Sequence, residues 1–313
     1  MPPLKAFYSD RFVLPLPPGH RFPMAKYARL RVRVGQELPE VSLQEAPPAS
    51  DEQLLRAHGE AYVRRVIAGQ LSAAEQRAIG FPWSPEMVER SRRSVGATLA
   101  ACAAASDDGV AVNLAGGTHH AQRDSGHGYC VFNDAAVAAR SLCAASPSAR
   151  VAIIDLDVHQ GDGTAAIVGG DERIFTLSLH GSRNYPARKI DGHLDVGLDD
   201  GAGDDDYLDA LDGALARLQQ RFAPTFLIFL AGADPHEGDR LGHLRLTFAG
   251  LRARDARVFD LAAALRVPVA VTMAGGYGHD VETTVQVHLN SVGAALAHWQ
   301  RCRAPAPEAS PVA

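Results

Sequence analysis

His119 and His120 stand side by side behind Gly116-Gly117-Thr118, and a second run of reactive types follows in Asp155-Leu156-Asp157-Val158-His159-Gln160-Gly161-Asp162-Gly163. Adjacent imidazoles in a glycine-flanked loop are poor packing choices and good proton carriers. One can act as general base toward a water while the other holds a charge or protonates a leaving amine. In an extended chain Asp155, Asp157 and His159 project to one side, with Leu156 and Val158 on the other. An Asp and a His two apart on a strand end can then grip one metal ion together. Asp234, in Ala231-Gly232-Ala233-Asp234-Pro235, offers a further ligand oxygen. Two carboxylates and a neutral imidazole cancel the charge of Zn2+ and leave a coordination position open, the pattern of a catalytic zinc site. Tyr277, inside Gly275-Gly276-Tyr277-Gly278, can aim its hydroxyl at a developing oxyanion.

Each residue taken singly has a plainer role. Asp155 and Asp157 could cap a following helix, His159 could be a hydrogen-bonded core residue, and Tyr277 a packed turn residue. Taken together they are harder to dismiss. Ionisable groups delivered in such number into a glycine-rich turn cost several kcal/mol each to bury unless something pairs with them. A metal ion is the simplest partner.

These residues need elements that bring them to one place. Runs 110–115, 151–155, 174–179, 225–231 and 267–273 are nearly continuous in apolar residues, as strands buried on both faces are. Helical stretches at 134–145, 206–222 and 247–264 lie between them, and Ser84-Pro85-Glu86 opens another helix with an N-cap and a proline at its first position. Strand alternating with helix predicts a single α/β domain over residues 1–303, with an open, mostly parallel sheet covered by helices on both faces. In such sheets ligands collect beyond the carboxyl ends of the strands. Four of the five runs end in the motifs quoted above. Residues 1–50 read as a proline-rich, loop-like segment packed on the body, and 304–313 as a flexible tail.

The 313 residues carry 46% apolar and 21% charged types with a net charge of -5, an ordinary globular composition that excludes a disordered or disulfide-scaffold chain. No basic patch advertises a nucleic-acid or membrane-surface partner, and Arg90-Ser91-Arg92-Arg93 reads as a solvated helix face. The four cysteines show no CxxC pair, no signal-like apolar stretch opens the chain, and no apolar run is long enough to span a bilayer. A soluble, cytoplasmic protein is expected, with its oligomeric state left open. His20, His127, His180, His236 and His279 are candidates to border the site. His58, His193, His243, His288 and His298 are set aside as surface or core residues.

The blocks Gly116-Gly117-Thr118-His119-His120-Ala121, Gly128-Tyr129-Cys130-Val131-Phe132-Asn133-Asp134, Asp155 to Thr164, Ala231 to Pro235 and Gly275 to Gly278 resemble the histone deacetylase family in composition and order. Gly19 to Met24 and Glu237 to Gly242 are similar to bacterial members near the class IV branch. The resemblance implies the arginase/deacetylase fold and a zinc-dependent amidohydrolase acting on acylated lysine. It implies that Asp157, His159 and Asp234 bind zinc. His119 and His120 would then be the general base/acid pair, oriented by Asp155 and Asp162. Tyr277 would polarise the amide carbonyl, and Gly128 and Tyr129 would line the acyl-lysine channel. A structural K+ or Na+ is implied as well, with Asp155, Asp157, His159 and Ser178 matching part of its site. Gln160 stands where many members carry a second His, and Tyr129 where Phe is usual.

Other readings remain open on the residues alone. The substrate could be an acetylated polyamine or another small acylated amine, which an acidic pocket rim would favour. A ureohydrolase with two manganese ions would want further Asp ligands near Asp234, where Pro235-His236-Glu237 stands instead. A non-catalytic acyl-lysine-binding module would not need Tyr277 or the tandem histidines.

Overall fold

The apolar runs form strands, and they are buried on both faces because helices cover the sheet from either side. The computed structural model describes residues 3–303; the tail expected at 304–313 lies outside them. In chain order the elements are β1 (Leu4–Tyr8), α1 (Ala25–Glu37), β2 (Val41–Glu45), α2 (Asp51–Leu54), α3 (Glu60–Ile67), α4 (Ala73–Ile79), α5 (Pro85–Asp108), β3 (Val110–Asn113), α6 (Asp134–Ala145), β4 (Val151–Asp155), α7 (Asp162–Val168), β5 (Ile174–Gly181), β6 (Leu194–Leu198), α8 (Asp204–Arg221), β7 (Phe226–Leu230), α9 (Phe248–Leu265), β8 (Val269–Thr272) and α10 (Val281–Arg303).

All eight strands join one sheet in the order β2-β1-β3-β8-β7-β4-β5-β6, and every pairing is parallel. The single α/β domain expected from the alternation is observed. Successive side chains of β7 split between two cores: Leu227 and Phe229 pack with α8, α9 and α10, while Phe226, Ile228 and Leu230 pack with α5 and α6. β4 and β7 pair from Val151↔Phe226 to Asp155↔Leu230, which brings the two acid-bearing strand ends side by side. Among the described residues no helix is long and apolar enough to cross a membrane.

Helix starts follow the local chemistry. Ser84 caps α5 by accepting the Met87 N–H at 3.1 Å, Asn133 caps α6 by accepting that of Ala136 at 2.9 Å, and Thr247 caps α9.

One expectation needs correction, and one strand carries no clear sequence signal. The first fifty residues are not mainly loop: they hold β1, α1 and β2, and β1 pairs with β2 and β3. Their prolines sit between these elements and punctuate them. β6 carries Asp195 and Gly197 at the sheet edge and is partly exposed, so it lacks the apolar continuity that marks the inner strands.

Candidate active site

β4 stops at Asp155, and the chain does not continue extended through His159 as expected. Instead it turns, with Asp155 Oδ1 accepting the Asp157 N–H at 3.2 Å and Asp157 Oδ1 accepting the His159 N–H at 2.9 Å. The turn separates the two acids. Asp155 Oδ2 faces the His119 ring, 2.7 Å from Nδ1, while Asp157 faces His159 and Asp234.

Asp157, His159 and Asp234 each offer a ligand atom, and these atoms lie within 4.8 Å of one another, all three residues buried. His159 Nδ1 is 2.9 Å from Asp157 Oδ1 and 3.3 Å from Asp234 Oδ2. Backbone groups hold the outer oxygens: Val158 N–H donates to Asp234 Oδ1 at 2.9 Å and Gly275 N–H to Asp157 Oδ2 at 2.7 Å. Beneath them the buried Arg254 pairs with Asp255 at 2.8 Å and donates to the carbonyls of Leu156 and Gly232 at 3.3 and 2.5 Å, tying the two loops together.

This arrangement fits a metal ion. Asp234 Oδ2 is buried without a hydrogen-bond partner, and a Cβ on Gly275 would overlap it and stand 2.5 Å from Asp157 Oδ2. The glycine keeps open the space on which the donors converge. The electrostatics agree: against the effect of burial, the hydrogen bonds and charges of Asp157 and Asp234 raise the His159 imidazole to about 10. Negative charge concentrated this way holds a proton where a bound cation would replace it. Two oxygens and one imidazole nitrogen suit zinc.

The tandem histidines differ in environment. His119 Nε2 is 3.8 Å from Asp157 Oδ1, so its Nδ1 meets Asp155 and its other nitrogen faces the cluster of Asp157, His159 and Asp234. Burial disfavours its charge, but Asp155 and Asp157 raise it to about 9. His120 Nδ1 meets Asp162 Oδ1 at 2.6 Å, and burial together with neighbouring His119 pushes its imidazole down to about 3. The ring centroids lie 4.1 Å apart with the planes tilted by 49°. The charge of Asp155 and Asp157 is what raises His119, so a cation held by Asp157 offsets part of it and lets that imidazole accept a proton.

All of this opens into one cavity of 420 Å³, lined by His119, His120, Gly128, Tyr129, Asp157, His159 and Tyr277 among others. Gly128 has φ +52°, and a Cβ there would stand 2.6 Å from the His120 ring. Tyr129 follows at φ 66°, an uncommon conformation for a bulky residue, anchored by its N–H to the Ile79 carbonyl at 2.6 Å. Its ring is 5.9 Å from that of Tyr277. The rings of Phe22, Tyr27, Tyr129, Tyr185 and Tyr277 line this cavity together with the buried polar groups.

The histone deacetylase domain model matches residues 20–292. The chain belongs to the histone deacetylase family. A relative in Picosynechococcus, itself uncharacterized, is 40% identical over 90% of this chain and 94% of its own. Histone deacetylase 2 of Arabidopsis thaliana is 31% identical over 82% of this chain and 70% of its own. Among solved structures, a homologue of this family from Aquifex aeolicus superposes with a TM-score of 0.81 at 22% identity, covering 94% of this chain and 84% of that one.

Several residues of this histone deacetylase-family site were not foreseen. Tyr185 stands edge-on to His120 at 4.7 Å and lines the cavity; no motif marks it in an irregular segment. Arg90, expected on a solvated face, is buried and lies over the Tyr27 ring at 4.9 Å, because α5 packs against the segment entering α1. Lys26, Phe22 and Tyr27 line the cavity from that same amino-terminal segment. Of the histidines outside the motifs, His243 lines the cavity, contrary to its reading as a surface or core residue, whereas His20, His127, His180, His236 and His279 do not. His20 supports the wall from behind, 5.9 Å from the Tyr129 ring.

Ser178 sits beside Asp155 in the β4–β5 register, its Oγ 3.4 Å from Gly161 N and 3.0 Å from His180 Nδ1. Gln160 points away from the cluster and bonds Ile190 and Asp195, so its departure from the family pattern leaves the ligands alone.

Proposed function

We propose that this protein is a zinc-dependent deacylase that hydrolyses acetyl or other acyl amides of lysine side chains. The observation that carries the reading is the meeting of Asp157, His159 and Asp234 with His119 Nε2 at the floor of one channel. Asp157, His159 and Asp234 would hold the ion, which when bound supplies positive charge to acidify a water and polarise an amide carbonyl. His119 takes the proton of the attacking water at Nε2, and Asp155 at its Nδ1 stabilises the imidazolium. The proton held by the tandem pair then passes to the leaving amine, with His120, oriented by Asp162, assisting from beside His119. The Tyr277 hydroxyl donates to the oxyanion as the carbonyl carbon becomes tetrahedral. Gly128 and Tyr129 flank the acyl-lysine stem. A K+ or Na+ beside Asp155, Asp157, His159 and Ser178 belongs to the reading as a structural ion.

Lysine is favoured over an acetylated polyamine by charge. Arg21, Arg77 and Arg183 line the cavity as exposed residues, and the one carboxylate among its lining residues is Asp157 of the metal-ligand group. A polyamine carries further ammonium groups that such a rim repels.

The test is hydrolysis of acetyl- and longer acyl-lysine peptides, with an acetylated polyamine alongside, after chelation and after zinc is restored. Zinc-dependent release from the peptides is expected. Release only from the polyamine would reassign the substrate, and binding without release from any member would reduce the protein to an acyl-lysine reader.

A further inference from the structure

Two cations line the inner part of the cavity. Lys26 is 2% exposed and Arg90 is 8% exposed, and both are cavity-lining residues together with Tyr27, Ser94, Gly116, Gly117 and Gly275. Among the described residues neither forms an ion pair. Lys26 Nζ donates to the carbonyls of Ala274 and Gly276, each at 3.3 Å, and lies 5.2, 5.5 and 5.7 Å from the ring centroids of Tyr27, Tyr277 and Phe22. Arg90 makes no hydrogen bond; its guanidinium carbon lies 4.9 Å from the Tyr27 ring centroid and 5.5 Å from that of Phe22.

This fold treats another buried guanidinium very differently, since Arg254 has Asp255 against it at 2.8 Å. Buried lysine and arginine side chains are almost always paired, because removing a charge from water is costly and contacts with ring faces recover only part of that cost. His288, buried in the same region, offers no counter-charge: burial and the charge of Lys26 hold it neutral, well below its ordinary range. The cavity therefore presents two desolvated cations that the protein leaves for an anion.

Their position says which anion. Ala274 and Gly276, the two carbonyl partners of Lys26, flank Gly275, whose N–H donates to Asp157 Oδ2 at 2.7 Å. One short peptide segment thus separates the ammonium group from the metal-ligand carboxylates. Lys26, Arg90, Asp157 and His159 line one cavity, so an acyl group whose amide carbon sits at those ligands has both cations within the same enclosure.

We propose that the preferred acyl group ends in a carboxylate, so that the substrate class is succinyl- or glutaryl-lysine, with Arg90 and Lys26 as the specificity-determining residues. The proposal rests on the deacylase reading above and deepens it. In the reaction the water oxygen bonds to the acyl carbon, the C–N bond breaks, and the lysine amine leaves with a proton. The acyl group departs as a dicarboxylate, so no oxidant or further reactant is needed. The distal carboxylate meets the flat Arg90 guanidinium and the Lys26 ammonium in charge-assisted hydrogen bonds. A neutral chain of the same length would leave both cations unpaired.

The experiment compares kcat/KM of the zinc-loaded protein on one peptide bearing acetyl-, butyryl-, succinyl- or glutaryl-lysine. A preference of about tenfold or more for a carboxylate-ended group over butyryl is expected, expressed mainly in KM. Arg90→Gln should lower that succinyl-to-butyryl ratio by about tenfold, and Arg90→Lys should restore part of it. Lys26→Gln serves as the second variant if Arg90→Gln does not fold. Equal or better cleavage of butyryl-lysine by the wild-type protein overturns the proposal while leaving the deacylase reading intact. Failure to cleave any peptide overturns both.

Discussion

The Asp239 carboxylate accepts the backbone N–H of Tyr277 at 2.6 Å, and from the other side Arg240 Nε donates to the Tyr277 carbonyl at 2.8 Å. The same carboxylate receives the N–H groups of Leu241 and Gly242 at 2.8 and 3.0 Å. The loop that follows Asp234 thus clamps the peptide unit carrying Tyr277. A tyrosine between two glycines has little else to fix its backbone.

Replacing Asp239 by Asn keeps the shape and removes the charge behind three hydrogen bonds. A fall in kcat of about tenfold to a hundredfold is expected, with zinc content retained. Steady-state kinetics with metal analysis of the same preparation checks it, and an unchanged kcat would show that Tyr277 is held without the clamp.

Asp234→Ala removes one of the three convergent donors and should abolish tight metal binding. Tyr277→Phe removes only a hydroxyl, so it should bind metal normally and lose about a hundredfold to a thousandfold in kcat. Calorimetric zinc titration and turnover separate the two. Strong activity in either variant contradicts the assigned roles.

Gly275→Ala tests the cradle itself. The added methyl group would overlap Asp234 Oδ2 and crowd Asp157 Oδ2, so metal affinity should fall by about tenfold to a hundredfold. The substitution lies in a loop beyond β8, and the thermal midpoint of the metal-free protein should move little. Competition with a chelator of known affinity measures the first effect and calorimetry the second.

His58 predicts a pH dependence of stability. It is 1% exposed, its Nε2 accepts the Asn133 N–H at 2.9 Å, and burial pushes its imidazole down to about 4. Because the folded value is depressed, the unfolded chain binds the extra proton first. Stability is fully present above the unfolded value of about 6.5 and falls as pH drops toward 4, by up to about 3 kcal/mol from this group. His180, also held at about 4 by burial, contributes with the same sign. His58→Gln should therefore flatten the urea-unfolding free energy against pH between 6.5 and 4 without levelling it. An equally steep profile in the variant would refute the assignment.

Loss of the His58 bond should also reach the site. Asn133 caps α6 and its side chain donates to the carbonyls of His119 and Ala121 at 3.3 and 3.0 Å. The loop carrying the tandem histidines is therefore anchored through a residue far from it in sequence.

Much of this protein is determined by local sequence alone. Continuous apolar runs such as 151–155 and 225–231 have to be strands buried on both faces, and their alternation with capped helices leaves little choice but a parallel α/β sheet. Strand ends are also where short motifs speak clearly. Asp157 and His159 are two residues apart, so backbone geometry brings them together wherever the strand lies, and Asp234 follows once β7 pairs with β4. Other features came only with the tertiary structure. The turn after Asp155 depends on side chain to backbone hydrogen bonds, which set that carboxylate against His119 and apart from Asp157, His159 and Asp234. Edge strand β6 lacks apolar continuity because one side of it meets water. Tyr185, Lys26 and Arg90 lie in segments with no motif, and what they face is decided by how distant elements pack. Charge patterning describes Arg90 as solvated because basic residues on helices usually are; only the packing of α5 against the start of α1 removes it from water and sets it beside Lys26.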